Sequence, residues 1–391
     1  MSQIDELIQE FCPAGVEYSR LADQVAILDH LRKPVARSSR VPGPYPYYGA
    51  NGVQDWVDGW IFDGTFLLIG EDGSVLKPDG SPVLHWAQGK IWVNNHAHIL
   101  GSGSDELSLR FLYYFLQTAN LSAFVSGGSR VKLTQGALRE VPIPVPPFPV
   151  QEEIVRILDT FTELEAELEA ELEARKRQYA YFRDLLLNFP GESGVVWCTL
   201  GEVATRVSSG ATPLAGSPGY YADGTIPWLR TQEVRFVDIW DTEIRITEKA
   251  LKETAVKWIP ANCVIVAISG ATAGRSAVNR IPLATNQHCC NFEIDPAKAN
   301  YRYVFHWVRS QYEQIKALGQ GARSDLNASI IKSVRIPVPP IAEQERIASI
   351  LDKFDALVSD LSEGLPAELV ARRKQYEYYR DKLVRFEELV A

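Results

Sequence analysis

An internal repeat decides what this chain can fold into. The sequence VPIPVPPFPVQEEIVRILD at 141–159 aligns without a gap with VRIPVPPIAEQERIASILD at 334–352. Further along, ARKRQYAYFRD at 174–184 matches ARRKQYEYYRD at 371–381, and RVKLT at 130–134 falls on RSDLN at 323–327. A repeat of this length predicts two copies of one structural unit rather than a single large domain.

The residues that follow each proline-rich stretch predict a long helix. The prolines at 142–149 and 337–340 forbid a helix and favour extended chain, and apolar residues spaced by three and four come next. They are Ile154, Leu158, Phe161, Leu168, Leu172, Tyr179, Phe182 and Leu186 in the first copy, and Ile347, Leu351, Phe354, Val358, Leu361, Leu365, Tyr376, Tyr379 and Leu383 in the second. This is the seam of a coiled coil, and Gly364 with Pro366 predicts a break in the second helix.

We therefore predict a mixed α/β (α+β) fold with two globular domains, separated by two long antiparallel coiled-coil helices in a pseudo-twofold arrangement. Strand-like runs such as TFLLI at 65–69, with Gly, Pro, Asn and Asp between them, indicate the β portion. The expected segments are an N-terminal helix fragment at 1–11 that joins the C-terminal helical region, a first globular domain at 12–147, a central helix at 148–189, a second globular domain at 190–340 and a C-terminal helix at 341–391.

The central helix contains the tetrapeptide ELEA three times in tandem at 163–174. Ala, Leu and Glu are strong helix formers, which predicts a stiff rod. The simpler interpretation is a solvated acidic helix packed on a neighbour, but the duplication favours a spacer between the two blocks. One tetrapeptide adds about 6 Å, close to two base-pair steps of about 3.4 Å each, so such a rod could set a distance along a duplex.

Composition limits the functional classes. A net charge of −9 argues at first against nucleic-acid binding. The acidic residues are concentrated in the helical stretches, however, and 190–342 carries a small positive excess. The sequence has no run that could span a membrane, and we expect no export signal. Five cysteines without CxxC spacing suit a reducing cytoplasm and offer no zinc framework.

Polar clusters lie at matching places in both blocks. Asn, Gln and Arg side chains can pair bidentately with adenine or guanine, and glycine-rich turns let the backbone approach phosphates. Any one cluster could be an ordinary turn, but the shared location favours DNA binding, with Arg130 and Arg323 at equivalent positions as the strongest candidates. The candidate DNA-binding residues are Asn51, Asn94, Asn95, His96, Arg130, Lys132, Thr134, Arg230, Thr272, Arg275, Asn286, Gln287, Arg323, Ser324 and Asn327.

Catalytic signatures are missing from the sequence. SGATAGRS at 269–276 has Ser and Arg where a phosphate-binding loop requires Gly and Lys. His96 and His98 could bind a metal, but no third ligand suggests itself, so we favour a structural role. Neither the cofactor glycine motif nor the Asn/Asp-Pro-Pro-aromatic motif of a DNA methyltransferase occurs. We expect no catalytic residue and no metal site.

The chain as a whole resembles the specificity subunit of type I restriction–modification systems. The resemblance rests on the duplicated IPVPP-x3-Q-x2-I-x2-ILD motif, on RKRQYAYFRD and RRKQYEYYRD, on PYYGANG, LLIGEDG and VNNHAH in block one, and on ATNQHCC with GARSDLN in block two. Tandem tetrapeptide repeats in the central helix are also typical of that family.

The resemblance implies a non-catalytic subunit that reads a bipartite site on double-stranded DNA, with one half-site for each target-recognition domain. It also implies two methyltransferase subunits docked on the helices, together with restriction and translocase subunits. S-adenosylmethionine, ATP and magnesium would belong to those partners, and no membrane is involved. The alternatives are a fused methyltransferase or nuclease, a helical scaffold that binds no DNA, and a subunit of a related modification-only or defence system.

Overall fold

The chain divides into two compact units. The computed structural model describes residues 3–127, 131–191, 194–319, 326–359 and 364–389. Unit 1 comprises Met1–Glu169 with Glu368–Ala391, and unit 2 comprises Ala170–Ala367. Each unit thus combines one globular block with pieces of both helical regions, and the boundary falls inside the central helix.

Unit 1 is built on a mixed sheet in the order β2-β7-β5-β6-β3-β4 among its described residues. Its buried apolar face packs on α3 and on the start of the long helix α5. The strands are β1 (Tyr18–Arg20), β2 (Val25–Ile27), β3 (Pro42–Gly49), β4 (Gly52–Val57), β5 (Phe62–Gly70), β6 (Leu84–Val93), β7 (Ala97–Ser102), β8 (Val125–Ser126), β9 (Lys132–Leu133) and β10 (Pro142–Pro144). The helices are α1 (Gln3–Phe11), α2 (Leu21–Gln24), α3 (Leu109–Leu116), α4 (Gln135–Arg139) and α5 (Phe148–Leu186), which continues into unit 2.

Unit 2 repeats this arrangement with two adjoining sheets, ordered β12-β20-β17-β18-β14 and β15-β13-β19-β16 in the part that the structure describes. The strands are β11 (Val196–Thr199), β12 (Ala204–Ser209), β13 (Ile226–Leu229), β14 (Asp238–Ile239), β15 (Arg245–Ile246), β16 (Trp258–Ile259), β17 (Val264–Ala267), β18 (Ser276–Asn279), β19 (Leu283–Thr285), β20 (Cys289–Ile294) and β21 (Arg335–Val338). The helices are α6 (Pro218–Tyr221), α7 (Glu248–Glu253), α8 (Tyr301–Ser310), α9 (Tyr312–Ala317), α10 (Ala328–Ser333) and α11 (Ile341–Ser359), while α12 (Leu365–Leu383) lies mostly in unit 1.

The two units share a strand framework, which confirms the predicted mixed α/β class and the internal repeat. β3 pairs in parallel with β6 as β13 does with β19, and β5 pairs antiparallel with β7 as β17 does with β20. The proline-rich stretches form β10 and β21, which pair antiparallel with β1 and β11. Duplicated sequence therefore folds into duplicated topology.

The helices carry the repeat as well. In unit 1, α12 runs antiparallel to α5, because Phe161 stacks on Tyr379 at 5.4 Å while Arg373 pairs with Glu165 at 2.6 Å. In unit 2, Phe182 of α5 stacks on Phe354 of α11 at 5.5 Å. Phe161 and Phe354 occupy equivalent repeat positions, as do Phe182 and Tyr379. Both units therefore contain the same aromatic pair, one partner from each helical region.

One proline, Pro149, occupies a place that the proline-rich pattern predicted differently, and another, Pro366, lies where a break was predicted. Pro149 was expected to belong to the extended entry, but α5 already begins at Phe148. That expectation was wrong because proline is tolerated in the first turn of a helix, where its missing N–H would have no partner. Pro366 likewise lies in the first turn of α12, which begins at Leu365 after α11 has ended at Ser359. The predicted break of the second helix is confirmed.

A buried glutamine joins each globular block to its helix. In unit 1, Gln151 donates to Glu106 O and Pro146 O, each at 2.7 Å, and accepts from Ser108 N at 2.8 Å. In unit 2, Gln344 donates to Pro339 O at 2.7 Å and accepts from Asn300 N at 2.8 Å. Both side chains are fully buried. These are the glutamines of the duplicated motif.

An arginine–aspartate pair adds a second junction of the same kind. Arg110 of α3 contacts Asp159 of α5 at 2.7 Å. In unit 2, Arg302 of α8 donates to Asp352 of α11 at 2.5 Å, and His306 contacts the same carboxylate at 2.7 Å. Burial alone would raise the pKa of Asp352, but these hydrogen bonds outweigh it and lower the pKa to about 2.

The two ends of the described chain meet within unit 1. Val16 N donates to Glu387 O at 2.9 Å, and Leu389 N donates to Val16 O at 2.9 Å. Leu7 and Ile8 of α1 belong to the same apolar cluster as Leu383 at the end of α12. The N-terminal fragment and the C-terminal helical region thus form one packed structure. In the described chain, no helix combines the length and apolarity that a membrane span requires.

Candidate nucleic-acid interface

The same tight turn occurs in both units. It joins β6 to β7 in unit 1 and β19 to β20 in unit 2. Asn94 Oδ1 accepts from His96 N at 2.8 Å, and Asn286 Oδ1 accepts from His288 N at 3.1 Å. This local bond from the asparagine side chain to the backbone two residues later fixes the turn. We call 94–96 and 286–288 the reading turns.

Backbone bonds hold each reading turn against two neighbouring segments. Glu71 N donates to His96 O at 2.8 Å, and Leu133 N donates to Glu71 O at 2.9 Å. In unit 2, Ile268 N donates to His288 O and Leu326 N to Ile268 O, each at 2.9 Å. The reading turn, the end of β5 or β17, and the segment before α4 or α10 therefore converge in each unit.

Four of the unit 1 candidates have exposed or half-exposed side chains. Asn51 is exposed between β3 and β4, and Asn95 is exposed at the tip of the reading turn. His96 Nδ1 lies 2.5 Å from Asp72 Oδ1, and Lys132 pairs with Glu71 at 3.1 Å. The four residues therefore lie on segments that border or form the reading turn of unit 1, and their contact with DNA stays a prediction.

The unit 2 candidates come together in the same way. Arg230 follows β13 and pairs with Glu243 at 2.7 Å, while Thr272 and Arg275 lie half-buried in the turn after β17. Gln287 is exposed at the tip of its reading turn, where its Oε1 accepts from Thr212 Oγ1 at 2.5 Å. Its Nε2 also lies 3.1 Å from His288 Nε2. The Gln287 amide is therefore held in place, with one donor and one acceptor position still open.

Four candidates have side chains engaged in the fold itself. Asn94 and Asn286 are buried in their turns. Thr134 caps α4 by accepting from Ala137 N at 3.2 Å, and Asn327 caps α10 by accepting from Ile330 N at 2.9 Å. These residues shape the loops around the reading turns. The predicted contacts of Arg130, Arg323 and Ser324 lie outside the described residues.

His98 lies at the centre of a charged cluster beneath the unit 1 reading turn. Its Nδ1 lies 2.6 Å from Asp29 Oδ2 and its Nε2 lies 2.8 Å from Leu133 O. Arg32 contacts Glu71 at 2.5 Å and Asp29 at 3.5 Å. Burial alone would raise the pKa of Asp29, but the hydrogen bonds and charges of its neighbours, His98 first and then Ile99 N and Arg32, together outweigh it and lower the pKa.

The sequence suggested no partner ligands for His98, but the structure places two beside it. Ligand atoms of Asp29, Glu71 and His98 lie within 4.8 Å of one another. The cluster is nevertheless a poor cation site. Nε2 faces a carbonyl and Nδ1 a carboxylate, so both ring nitrogens are in donor positions and neither directs a free lone pair at an ion. Arg32 already supplies the compensating charge. The cluster instead holds Leu133, and with it the segment before α4, in place.

The sequence prediction missed one pair of segments beside the reading turns. In unit 1, residues 32–40 run along the end of β6, where Lys33 N donates to Val93 O at 3.4 Å and Trp92 Nε1 donates to Lys33 O at 2.6 Å. In unit 2, residues 211–217 lie in the same relation to β19, because Ala211 N donates to Thr285 O at 3.1 Å. We call these segments the flanking loops. The available signal was four Lys or Arg in 32–40, with no Asp or Glu anywhere in 30–54.

Known proteins resemble the chain along almost its whole length. The family model for the type I restriction modification DNA specificity domain matches twice, at residues 13–174 and 192–371. A putative type I restriction enzyme specificity subunit of Haemophilus influenzae is 35% identical over 387 residues, covering 95% of this chain and 96% of the relative. The EcoR124I/EcoR124II specificity subunit of Escherichia coli is 38% identical over 290 residues, covering 71% of each chain.

A solved structure shows the same fold. The type I restriction–modification S subunit of M. genitalium superposes with a TM-score of 0.65 at 15% identity, covering 95% of this chain and 96% of that one. Each matched range contains one copy of the proline-rich repeat, 141–159 or 334–352, and one reading turn. The chain therefore belongs to the family of type I restriction–modification DNA specificity subunits, whose known role is DNA sequence recognition.

Proposed function

We propose that this chain is a non-catalytic subunit that reads a bipartite DNA site, with one half-site contacted by each unit. The observation that carries the proposal is the duplicated reading turn, in which a buried asparagine fixes the backbone and an exposed amide residue follows. Asn95 and Gln287 are those exposed residues. An amide can pair bidentately with adenine, and a rigid turn directs it at little entropic cost.

The rigidity of the turn supports a role in reading bases. The side chain of Asn94 bonds to Gln54 Oε1 at 3.2 Å as well as to His96 N, so it is restrained on both sides. In unit 2, the Asn286 backbone N–H donates to Leu229 O at 3.0 Å. A side chain at the tip of such a turn has few alternative positions. That restriction favours discrimination among bases over general attraction to DNA.

The proposed assembly assigns catalysis to other subunits. Two methyltransferase subunits would bind this chain, and restriction and translocase subunits would join them. S-adenosylmethionine, ATP and magnesium would be bound by those partners. The partners would also contribute to DNA affinity. Contacts of Lys and Arg with phosphates dominate that affinity, and this chain carries a net charge of −9. The expected location is the cytoplasm.

The test compares Asn95→Ala with Gln287→Ala in the complex with the methyltransferase subunit. Each substitution should weaken discrimination at one half-site by about 1–3 kcal/mol per base pair that the amide reads. Binding is measured on duplexes in which only one half-site is altered, with Gln178→Ala, an exposed glutamine of α5, as the control. Loss of discrimination at the same half-site in both variants would contradict separate reading by the two units.

The competing enzyme function requires its own measurement. A fused methyltransferase would bind S-adenosylmethionine and methylate DNA without partners. We expect the purified full chain to do neither, in titration calorimetry and in a methyl-transfer assay. Saturable cofactor binding by the chain alone would refute the non-catalytic assignment.

A further inference from the structure

The flanking loop of unit 1 carries two cations that form no close ion pair in the described part of the chain, although the charge of Arg37 helps to lower the pKa of Asp55. Arg32 is committed to Glu71 and Asp29, and Arg40 contacts Asp55 at 3.2 Å while its guanidinium lies 4.1 Å from the ring centre of Tyr47. Both have side chains that are only 14% exposed. Lys33 and Arg37 differ, because both are exposed and neither has a carboxylate oxygen within 4 Å in the described part of the chain.

Arg32 and Arg40 fix the position of the loop segment that carries the two exposed cations. Arg32 also donates to Ala97 O at 2.9 Å, which joins the loop to the far side of the reading turn. Arg40 Nε donates to Val35 O at 3.1 Å, and Val35 N donates to Tyr47 OH at 2.9 Å. The backbone between Lys33 and Arg37 is therefore held beside the reading turn from both ends. Exposed positive charge held beside the reading turn suits a phosphate contact, because phosphate contacts fix the register of a protein on the duplex.

The equivalent loop of unit 2 has the same attachment but no charge. Its sequence, ATPLAGS at 211–217, contains no Lys or Arg. A tryptophan also holds each loop, although from a different strand: Trp228 Nε1 of β13 donates to Ala211 O at 3.1 Å, and Trp92 Nε1 of β6 donates to Lys33 O at 2.6 Å. Counted from the matched backbone bonds of Lys33 and Ala211, Ala215 corresponds to Arg37, and the neighbouring Leu214 is 74% exposed. The two loops thus share a position and differ in chemistry.

We propose that Lys33 and Arg37 form a phosphate-contact site for the DNA backbone beside the first half-site, and that the flanking loop of unit 2 makes no charged contact of this kind. The inference rests on the proposed function, since it presumes that the reading turns face DNA. It adds an asymmetry between the units: the flanking loop of unit 1 makes DNA affinity depend on salt concentration, whereas the flanking loop of unit 2 does not. Neither cation reads sequence, because every base pair presents the same phosphates.

The experiment measures the affinity of the full chain, in complex with its methyltransferase subunit, for a target duplex and for a random duplex between 50 and 200 mM salt. Each phosphate contact contributes about 0.9 to the slope of log affinity against log salt concentration. The double variant Lys33→Gln/Arg37→Gln should therefore lose about 1.8 from the magnitude of that slope. Its deficit relative to wild type should be about 12-fold larger at 50 mM than at 200 mM, and the same on both duplexes.

Two matched variants sharpen the result. Lys33→Arg with Arg37→Lys keeps both charges and should keep the wild-type slope. Ala215→Arg places a cation at the corresponding position of unit 2 and should increase the slope by up to about 0.9. All of these side chains are exposed, so the fold itself should be retained, and circular dichroism checks this.

An unchanged slope in the double Gln variant would overturn the phosphate-contact site. A loss confined to the target duplex would also overturn it, because that pattern marks base reading rather than phosphate contact. A wild-type complex that bound target and random duplexes equally would refute the proposed function instead, and the comparison of slopes would still decide whether Lys33 and Arg37 contact phosphate.

Discussion

Replacing the buried glutamine of either repeat with methionine should destabilise the unit that contains it. Gln151 and Gln344 are fully buried, and each side chain joins the N-terminus of a helix in the globular block to the proline-rich entry of the long helix. Methionine has a similar length but can neither donate nor accept these bonds. The substitution removes the bonds without opening a large cavity.

The magnitude follows from the bonds that are lost. Gln151→Met leaves Ser108 N, Glu106 O and Pro146 O without their partner, and each bond is worth about 1 kcal/mol net. We therefore expect a loss of about 3 kcal/mol in the free energy of unfolding. For a domain of about 150–250 residues, this corresponds to a fall in Tm of about 6–12 °C. Gln344→Met should behave alike, because it removes the equivalent contacts.

The assay is thermal and denaturant unfolding of the full chain, with two matched controls from the same helical regions. Gln178→Met and Gln375→Met alter the exposed glutamines of the repeated RQY segments and should cost less than about 0.5 kcal/mol. The double variant Gln151→Met/Gln344→Met should be additive, because the two sites share no partner. A cost below about 1 kcal/mol at either buried site would refute the argument that this amide joins block to helix.

Three further outcomes are expected. Deleting one ELEA unit from 163–174 should shorten the unread DNA spacer by about two base pairs, at about 1.5 Å per helical residue, without changing either half-site. An unchanged methylation motif would refute the hypothesis that the central helix sets the distance between the half-sites. Burial lowers the pKa of His306 below 6.5, so unit 2 should lose stability as pH falls from 7 to 5, because unfolding then takes up a proton. His306→Gln should flatten that decline in denaturant titrations. An equal decline in both proteins would show that His306 is not the titrating group. Arg323→Ala should weaken binding at one half-site and spare the other, whereas equal loss at both would count against separate readers.

The sequence was most informative where local rules determine structure. Proline-rich entries, heptad spacing and the Gly364–Pro366 break depend on neighbouring residues, and the structure follows them except at Pro149. The sequence repeat also located the reading turns, because both copies carry an Asn-x-His pattern. An asparagine in a turn commonly accepts a hydrogen bond from the backbone N–H two residues later, whatever residue stands there. That signal could have shown that Asn94 and Asn286 fix the turn, while Asn95 and Gln287 are the exposed residues.

The remaining features depend on contacts between distant residues. Lys33 reaches its place through a bond to Val93, and His98 meets Asp29 and Glu71 only after β5 and β7 have paired. No spacing rule links such residues, so the charged cluster could not be found by motif, and the basic run at 32–40 did not show that its loop lies beside the reading turn. The role of Gln344 was hidden for the same reason, since the duplicated motif marks the residue but not its partner Asn300.

The most direct test of the account is a genome-wide map of methylated positions in cells that express this chain with its methyltransferase subunit. Two specified half-sites with a fixed number of unspecified base pairs between them are expected, and a variant at the unit 1 reading turn should change only one of the two. A single continuous motif, or a simultaneous change in both halves, would contradict a chain built from two independent readers.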